Sequence, residues 1–402
     1  MSIVQLSDIS HIIRGITFSK SEGSSTPKDG FLPVIRAGSI QQSLLLNEGN
    51  IWVPEEKIKE KQIIQKDDII MCTSSGSSDL VGKCAISNET WVGSFGAFCA
   101  GIRPKRSVCD PSFLYHFLCS PKFKNWTKSS SGANIKNIRV SELAAFELDI
   151  PPLAEQKRIA TILDKADAIR RKRQQAIKLA DEFLRAVFLD MFGDPVTNPK
   201  EWEVKPLIDG IESIISGWSA NGENYPCKSG EYGVLKISSV TSGKFNPQEN
   251  KFVHEDDIPE GKRLVLPKKG DLLFSRANTR ELVAATCIVP EDKNNVFLPD
   301  KLWKVKTNKM VLLPEFLNYL IREPRFKETL TSQATGTSGS MLNISKKKFE
   351  STDAIFPDLS LQNKFKSVFW KMQDTIGSLN VSRDGFNESF SSLIQKAFSG
   401  EL

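Results

Sequence analysis

Two short polar stretches carry the residue types that read hydrogen-bonding edges. One is Thr73-Ser74-Ser75-Gly76-Ser77-Ser78 and the other is Ser275-Arg276-Ala277-Asn278-Thr279-Arg280. Each follows a short apolar run, which places it on a loop beyond a strand. Arg and Lys donate to guanine, Asn and Gln pair with adenine, and Ser and Thr serve either. Ser74, Ser75, Ser77, Arg276, Asn278, Thr279 and Arg280 are therefore candidate base contacts, although an ordinary variable hairpin loop has the same composition. Two more stretches set small residues before basic ones. They are Ser129-Ser130-Ser131-Gly132-Ala133-Asn134-Ile135-Lys136-Asn137-Ile138-Arg139 and Thr335-Gly336-Thr337-Ser338-Gly339-Ser340-Met341-Leu342-Asn343-Ile344-Ser345-Lys346-Lys347-Lys348. Small residues let a phosphate backbone come close and basic ones neutralise it. Lys136, Asn137, Arg139, Lys346 and Lys347 are the candidates there, against a surface loop with solvated lysines. Arg36 and Lys236 hold matching places after apolar runs and are either further contacts or solvated strand residues. Trp126, Trp218 and Trp303 are read as core more readily than as base-stacking groups.

These stretches occur in pairs because the chain is written twice. Asp68-Ile69-Ile70-Met71 returns as Asp271-Leu272-Leu273-Phe274, 203 positions on. At the same offset Cys84-Ala85-Ile86 meets Cys287-Ile288-Val289, Pro111-Ser112-Phe113-Leu114 meets Pro314-Glu315-Phe316-Leu317, and Ser120-Pro121-Lys122-Phe123-Lys124 meets Glu323-Pro324-Arg325-Phe326-Lys327. The offset is 200 at Val34-Ile35-Arg36 and Val234-Leu235-Lys236, and 206 at Ile150-Pro151-Pro152-Leu153 and Phe356-Pro357-Asp358-Leu359. Collinear matches with so small a drift mark an internal duplication with loop insertions.

Each copy opens with about 150 residues of short strand-like runs between turn residues. A short helix is expected from Pro111 and another from Pro314, since Pro suits a first helical turn. A long helix follows each. From Ala154 to Phe192 there is no Pro or Gly. Ile159, Ile162, Leu163, Ala166, Ile169, Ala176, Ile177, Ala180, Phe183, Leu184, Val187 and Met191 keep the three-and-four spacing of a seam, broken at Arg173. That arginine either snorkels at the seam edge or makes a polar contact with a partner helix. The neighbouring run Arg170-Arg171-Lys172-Arg173 is a solvated face or a phosphate or acidic-partner contact. The second copy sets Phe365, Val368, Phe369, Met372, Ile376, Leu379, Phe386, Phe390 and Leu393 in register. Gly377 and Gly385 are expected to break or bend it. Each helix would run about 50–60 Å.

An apolar stripe needs a partner, so the two helices are expected to pack antiparallel, with the globular units at opposite ends and related by a pseudo-two-fold axis. The fold class is α+β: two mixed α/β domains in tandem repeat, with two long helices as an antiparallel coiled coil. The segments are 1–150, 151–195, 196–356 and 357–402. Two similar heads at a fixed separation suit a long, regular, pseudo-symmetric ligand, and duplex DNA has that form.

Bond-making chemistry finds little support. Three His and seven scattered Cys without Cys-x-x-Cys spacing leave little for a metal site or a His-based triad, and the thiols are expected to be reduced. There is no Gly-x-x-x-x-Gly-Lys-Ser/Thr loop, no Gly-x-Gly-x-x-Gly and no His-Glu-x-x-His. Asp110-Pro111-Ser112-Phe113 looks like a methyltransferase Asp-Pro-Pro-Tyr/Phe motif, but its counterpart Leu313-Pro314-Glu315-Phe316 keeps only a helix start. Asp271 with Glu291 and Asp292 would make a nuclease set that the first copy lacks. Lys and Arg total 54 against 48 Asp and Glu, a net charge of +6. That permits a polyanionic partner without demanding one, and the charge is spread evenly. No membrane span or signal peptide is read. An enzyme with divergent motifs and a coiled-coil scaffold binding other proteins are the competing classes.

Ile150-Pro151-Pro152-Leu153-Ala154-Glu155-Gln156-Lys157-Arg158-Ile159, leading into a long helix, resembles the central conserved region of the specificity subunits of type I restriction–modification enzymes. Leu393-Ile394-Gln395-Lys396-Ala397-Phe398-Ser399-Gly400-Glu401-Leu402 resembles the end of the same family. With the two-copy layout the resemblance spans the chain. It implies two target recognition domains, each reading one half of a bipartite asymmetric site on double-stranded DNA. The helices would set the spacer and dock two modification (methyltransferase) subunits, through which two restriction (translocase/nuclease) subunits join. Glu155, Gln156, Arg158, Ile159, Arg173, Gln362, Phe365 and Phe398 are the candidate subunit-interface residues. The resemblance also implies that the chain catalyses nothing and binds no cofactor or metal. S-adenosylmethionine would sit on the modification subunits, and ATP and magnesium on the restriction subunits, in a prokaryotic cytoplasm.

Overall fold

The structure, a computed structural model, describes residues 2–77, 80–129, 136–336 and 341–402. The chain folds as two compact units: Met1–Gln174 with Ser382–Leu402, and Gln175–Val381. Each unit thus takes part of both long helices, Leu153–Phe192 and Leu359–Ser399.

In the first unit a four-stranded antiparallel sheet has the order Ser10–Arg14, Cys99–Pro104, Ile69–Cys72, Cys84–Ile86. The strand Ile69–Cys72 is buried on both faces, as its unbroken apolar run requires. Side chains alternate. Ile69 and Met71 join the cluster of Phe113, Leu114, Phe117, Ile159 and Leu163 on the helical side. Ile70 and Cys72 join Ile35, Ile40 and Phe95 on the other. A three-stranded sheet, Ile51–Pro54, Phe31–Ile35, Ser94–Phe95, covers that second face. Two ribbons complete the unit: Ser2–Gln5 with Glu147–Ile150, and Ser74–Ser75 with Lys136–Asn137. All seven cysteines are free thiols.

The second unit repeats this plan. Its four-stranded sheet runs Ile211–Ser216, Leu302–Thr307, Leu272–Ser275, Thr286–Ile288, and its three-stranded sheet Asn250–Val253, Tyr232–Leu235, Val296–Phe297. The ribbons are Glu203–Pro206 with Asp353–Phe356, and Ala277–Asn278 with Leu342–Asn343. The register corrects one sequence match. Ile70 pairs with Ala85 and Leu273 with Cys287, so Ala85, not Cys84, is the counterpart of Cys287. The true offset there is 202, because the first copy's preceding loop is one residue longer. In a strand, one residue of slip exchanges the faces.

Inside each unit the two helical stretches run antiparallel. In the first, Arg158 bonds Leu402 and Arg173 bonds Ser382. In the second, Ile177 and Ala180 cluster with Ile376, and Phe188 lies 5.5 Å from Phe365. Contrary to expectation, Gly377 and Gly385 lie within one uninterrupted helix of 41 residues. A Cβ at either would meet nothing within 4 Å, so neither marks a close approach, and about 1 kcal/mol per glycine is too little to break a helix held by its packed face. Ile169 and Phe183, read as seam residues, stand 44% and 52% exposed. Phe188 and Phe192 fill the buried positions instead.

Candidate nucleic-acid interface

The first unit gathers several candidates around one open cleft of about 1100 Å³. Its rim is built from strand ends and loops: Arg14 ends one strand, Arg36 follows another, Ser74 and Asn137 pair across a ribbon, and Arg139 caps a short helix. Arg14, Lys20 and Phe98 also line it and had not been picked out from the sequence. Among the described residues, four basic ones line the cleft and no acidic one. Among the described residues, none of Arg14, Lys20 and Arg36 enters an ion pair, and Arg36 reaches only the Gly49 carbonyl, at 3.4 Å. Arg139 lies 3.8 Å from Glu142 with its side chain 76% exposed. Beside the cleft, a Cβ on Gly15 would sit 2.1 Å from the carbonyl oxygen of Gly96, a lining residue. Two backbones meet there, and only glycine allows it. Such a basic concavity can hold a polyanion by neutralising its charge, and Ser and Asn side chains carry donors and acceptors suited to base edges.

Ser75 pairs with Lys136 across the ribbon, and Ser77 is exposed with its N–H donating to Ser75 Oγ at 3.2 Å. Ser78, residues 130–135 and residues 337–340, which belong to the candidate loops, lie outside the described residues.

In the second unit several candidates are bound to their own fold. Arg276 donates from Nε to the Asp300 carbonyl at 2.9 Å, from Nη2 to Asp300 Oδ2 at 3.0 Å and from Nη1 to Asn343 Oδ1 at 3.3 Å. Hydrogen bonding from Ser219, followed by the nearby Arg276 charge, outweighs burial and holds the Asp300 carboxyl below its ordinary range. Arg276 is thereby a brace between the sheet and the ribbon. Lys346 Nζ donates to the Ile214 carbonyl at 2.7 Å, and Arg280 pairs with Glu328 at 2.6 Å on the surface. Asn278 Oδ1 accepts from the Thr279 N–H at 2.8 Å. Lys236 is half-buried and Lys347 exposed. Trp303 is core, stacked on Phe274 at 5.5 Å, and Trp218 stacks on Phe297. Trp126 packs among Phe123 and Phe146.

The helix-borne candidates divide sharply, and five are corrected. Gln156 is buried: Oε1 accepts from the Asp110 N–H at 2.9 Å, and Nε2 donates to the Val108 and Pro151 carbonyls. Gln362 repeats this with Leu313, Val311 and Pro357. Each glutamine fastens a long helix to its own unit from a buried position. Ile159 and Phe365 are core residues of their units. Phe398 packs 5.4 Å from Phe113 and 5.2 Å from Phe117. In the second unit Phe192, 206 positions earlier, packs 4.8 Å from Phe316 in the same way. That spacing was the available sequence signal. Arg158 is exposed and Glu155 half-buried, and they pair with each other at 2.7 Å. Arg173 makes the contact with the other helix: Nη1 donates to the Ser382 carbonyl at 3.1 Å, and the guanidinium stands 4.6 Å from the Phe386 ring. Arg170 and Arg171 both pair with buried Asp167.

One polar trio needs excluding as a catalytic set. Ser112 Oγ donates to Asp164 Oδ1 at 2.5 Å and His116 Nε2 lies 2.8 Å from the same oxygen. Partial burial raises the Asp164 pKa, but the bonds from His116 and Ser112 outweigh it and leave the carboxyl below its ordinary value. The hydroxyl bonds the carboxylate and not the imidazole, so the three do not stand in the Ser–His–Asp order of a hydrolase triad. The second unit replaces this tie with Trp370 Nε1 donating to Glu315 Oε1 at 2.7 Å. Both join a short helix to a long one. Asp110 likewise caps its helix, accepting from Ser112 and Phe113. Asp271 pairs with Lys304 at 2.5 Å.

A duplicated α/β unit on paired long helices, with a basic cleft in the first unit, is an architecture suited to duplex DNA. The comparisons name the family. Residues 1–179 match the type I restriction modification DNA specificity domain. The specificity subunit of the type I restriction enzyme EcoKI from Escherichia coli K12 is 30% identical over 418 residues, covering 100% of this chain and 89% of that one. The StySPI specificity subunit of Salmonella potsdam is 26% identical, covering 99% and 88%. The chain therefore belongs to the family of type I restriction enzyme specificity subunits. The crystal structure of a type I restriction–modification S subunit from M. genitalium shares the fold, with a TM-score of 0.56, 14% identity and coverage of 99% and 96%. Among the described residues no helix is long and apolar enough to cross a membrane.

Proposed function

We propose that this chain gives a type I restriction–modification complex its DNA sequence specificity, each unit reading one half of a bipartite, asymmetric site. The observation that carries this is the pairing of like folds with unlike loops. Thr73-Ser74-Ser75 in one unit stands where Arg276-Ala277-Asn278 stands in the other, as the ribbon pairings Ser74 to Asn137 and Ala277 to Asn343 fix. Equal scaffolds with different donors suit two different half-sites. The basic cleft, with no acidic side chain among its described lining residues, supplies phosphate affinity.

The two long helices set the gap between half-sites and dock two modification subunits, through which two restriction subunits join. Exposed Ile169, Leu179, Phe183 and Val381 on these helices offer apolar contact to such partners, a better-placed set than the buried glutamines. The chain itself performs no catalysis. S-adenosylmethionine belongs to the modification subunits, and ATP and magnesium to the restriction subunits.

Salt dependence tests this reading. With its modification subunits, the chain should bind duplex DNA with an affinity that falls steeply as salt rises, the log–log slope growing by roughly 0.9 per neutralised phosphate. Replacing Arg14, Arg36 and Arg139 together by Gln should flatten that slope by about two to three. Binding without salt dependence, or none, would favour the protein scaffold.

A further inference from the structure

Phe98 is an aromatic side chain 67% exposed on the rim of the basic cleft. Leaving a phenyl ring in water forgoes the stabilisation of burying it, and Arg14, Arg36 and Arg139, which line the same cleft, are charged. The backbone fixes its counterpart. The Phe98 carbonyl accepts from the Thr73 N–H at 2.9 Å, and the Lys301 carbonyl accepts from the Arg276 N–H at 3.1 Å. Phe98 and Lys301 thus hold one position in two units. By the same kind of register, Arg14 pairs with Ala100 where Ser216 pairs with Trp303, and Arg139 and Ser345 both cap short helices. Arg36 and Lys236, by contrast, keep their charge, each with its carbonyl bonded by a serine N–H.

The cleft therefore mixes a shared cation with positions that change between units. A cation kept in both suits phosphate, which is the same in every sequence. Positions that change suit bases. A phenyl ring has no hydrogen-bond donor, and the one apolar group a base pair shows in the major groove is the thymine 5-methyl group. We propose that Phe98 is a specificity-determining residue of the first unit, reading a thymine through its methyl group. This rests on the DNA-reading function proposed above.

The experiment uses the chain assembled with its modification subunits. Methylation mapping of the wild type first gives the site. Each thymine of that site is then replaced by deoxyuridine in a synthetic duplex, which removes the methyl and nothing else, and binding is measured for wild type, Phe98→Ala and Phe98→Leu. At one thymine, confined to one half-site, the wild type should lose about 4-fold in affinity, the worth of one buried methyl. Phe98→Ala should be indifferent to that replacement, and Phe98→Leu should keep part of the sensitivity. The exposed position leaves folding intact, checked by unchanged thermal unfolding. Arg36→Gln should weaken all duplexes alike and leave the deoxyuridine effect in place. If no thymine couples to Phe98, or if thymines in both half-sites do, the assignment is overturned. A wild type that yields no motif overturns the DNA-reading function itself, and is told apart by failing before any variant is compared.

Discussion

At the scale of single residues, chemistry that looks alike in sequence divides by what each side chain has already bonded. Gln156 holds an N–H and two carbonyls at the start of one long helix, and Gln362 holds the matching three at the other. Gln156→Ala orphans all three groups, and we expect a loss on the order of 3 kcal/mol, read as a lower urea midpoint. Unchanged stability with lost subunit docking would instead restore it as a contact residue. A second expectation concerns pH. Burial, with a smaller contribution from Cys72, pushes the Cys99 thiol up to about 12, and burial with Asp110 does the same for Cys109. Above the ordinary thiol range the unfolded chain gives up protons that the folded chain keeps. This stability is therefore fully present below about pH 8.5 and is lost as pH rises toward 12. The double variant Cys99→Ala and Cys109→Ala should show a flatter fall of urea midpoint between pH 9 and 11 than the wild type, and equal slopes would refute the account. Part of the site was legible in residue type: Arg36, Ser74, Asn137 and Arg139 do share a cleft. Arg276 and Lys346 had the right chemistry, but composition cannot reveal that Asp300 and the Ile214 carbonyl hold them.

Among the elements, the long helices were legible because their apolar spacing repeats at an offset of 206. Their continuity was not, because a glycine's local cost says nothing of the packing that outweighs it. Gly377 and Gly385 face open space, so Gly377→Ala and Gly385→Ala should each stabilise the chain by about 0.5–1 kcal/mol, seen as a higher thermal midpoint. A lower midpoint would mean that a bend is required there. The strands after Asp68 and Asp271 were also legible, yet their partners slipped by one residue. Cysteines aligned by letter, whereas the hydrogen bonds align Ala85 with Cys287. The cleft was the least visible feature. Arg14, Phe98 and Arg139 are far apart in sequence and meet only through the order of strands in the sheet.

For the molecule as a whole, duplication separates what is shared from what differs. The glutamine fastenings, the sheet orders and the cation at Arg36 and Lys236 are common to both units. The loop residues and the Phe98 and Lys301 position are not. A chain built this way should let one unit change its preference without disturbing the other. The direct measurement is genome-wide N6-methyladenine mapping in a methylation-free host. One strain carries the chain with its modification subunits, and another carries it with residues 196–356 exchanged for those of a different family member. The account predicts one bipartite motif with a fixed gap from the first, and from the second a motif altered in one half only. No motif from an assembled complex, or both halves altered by the exchange, would contradict it.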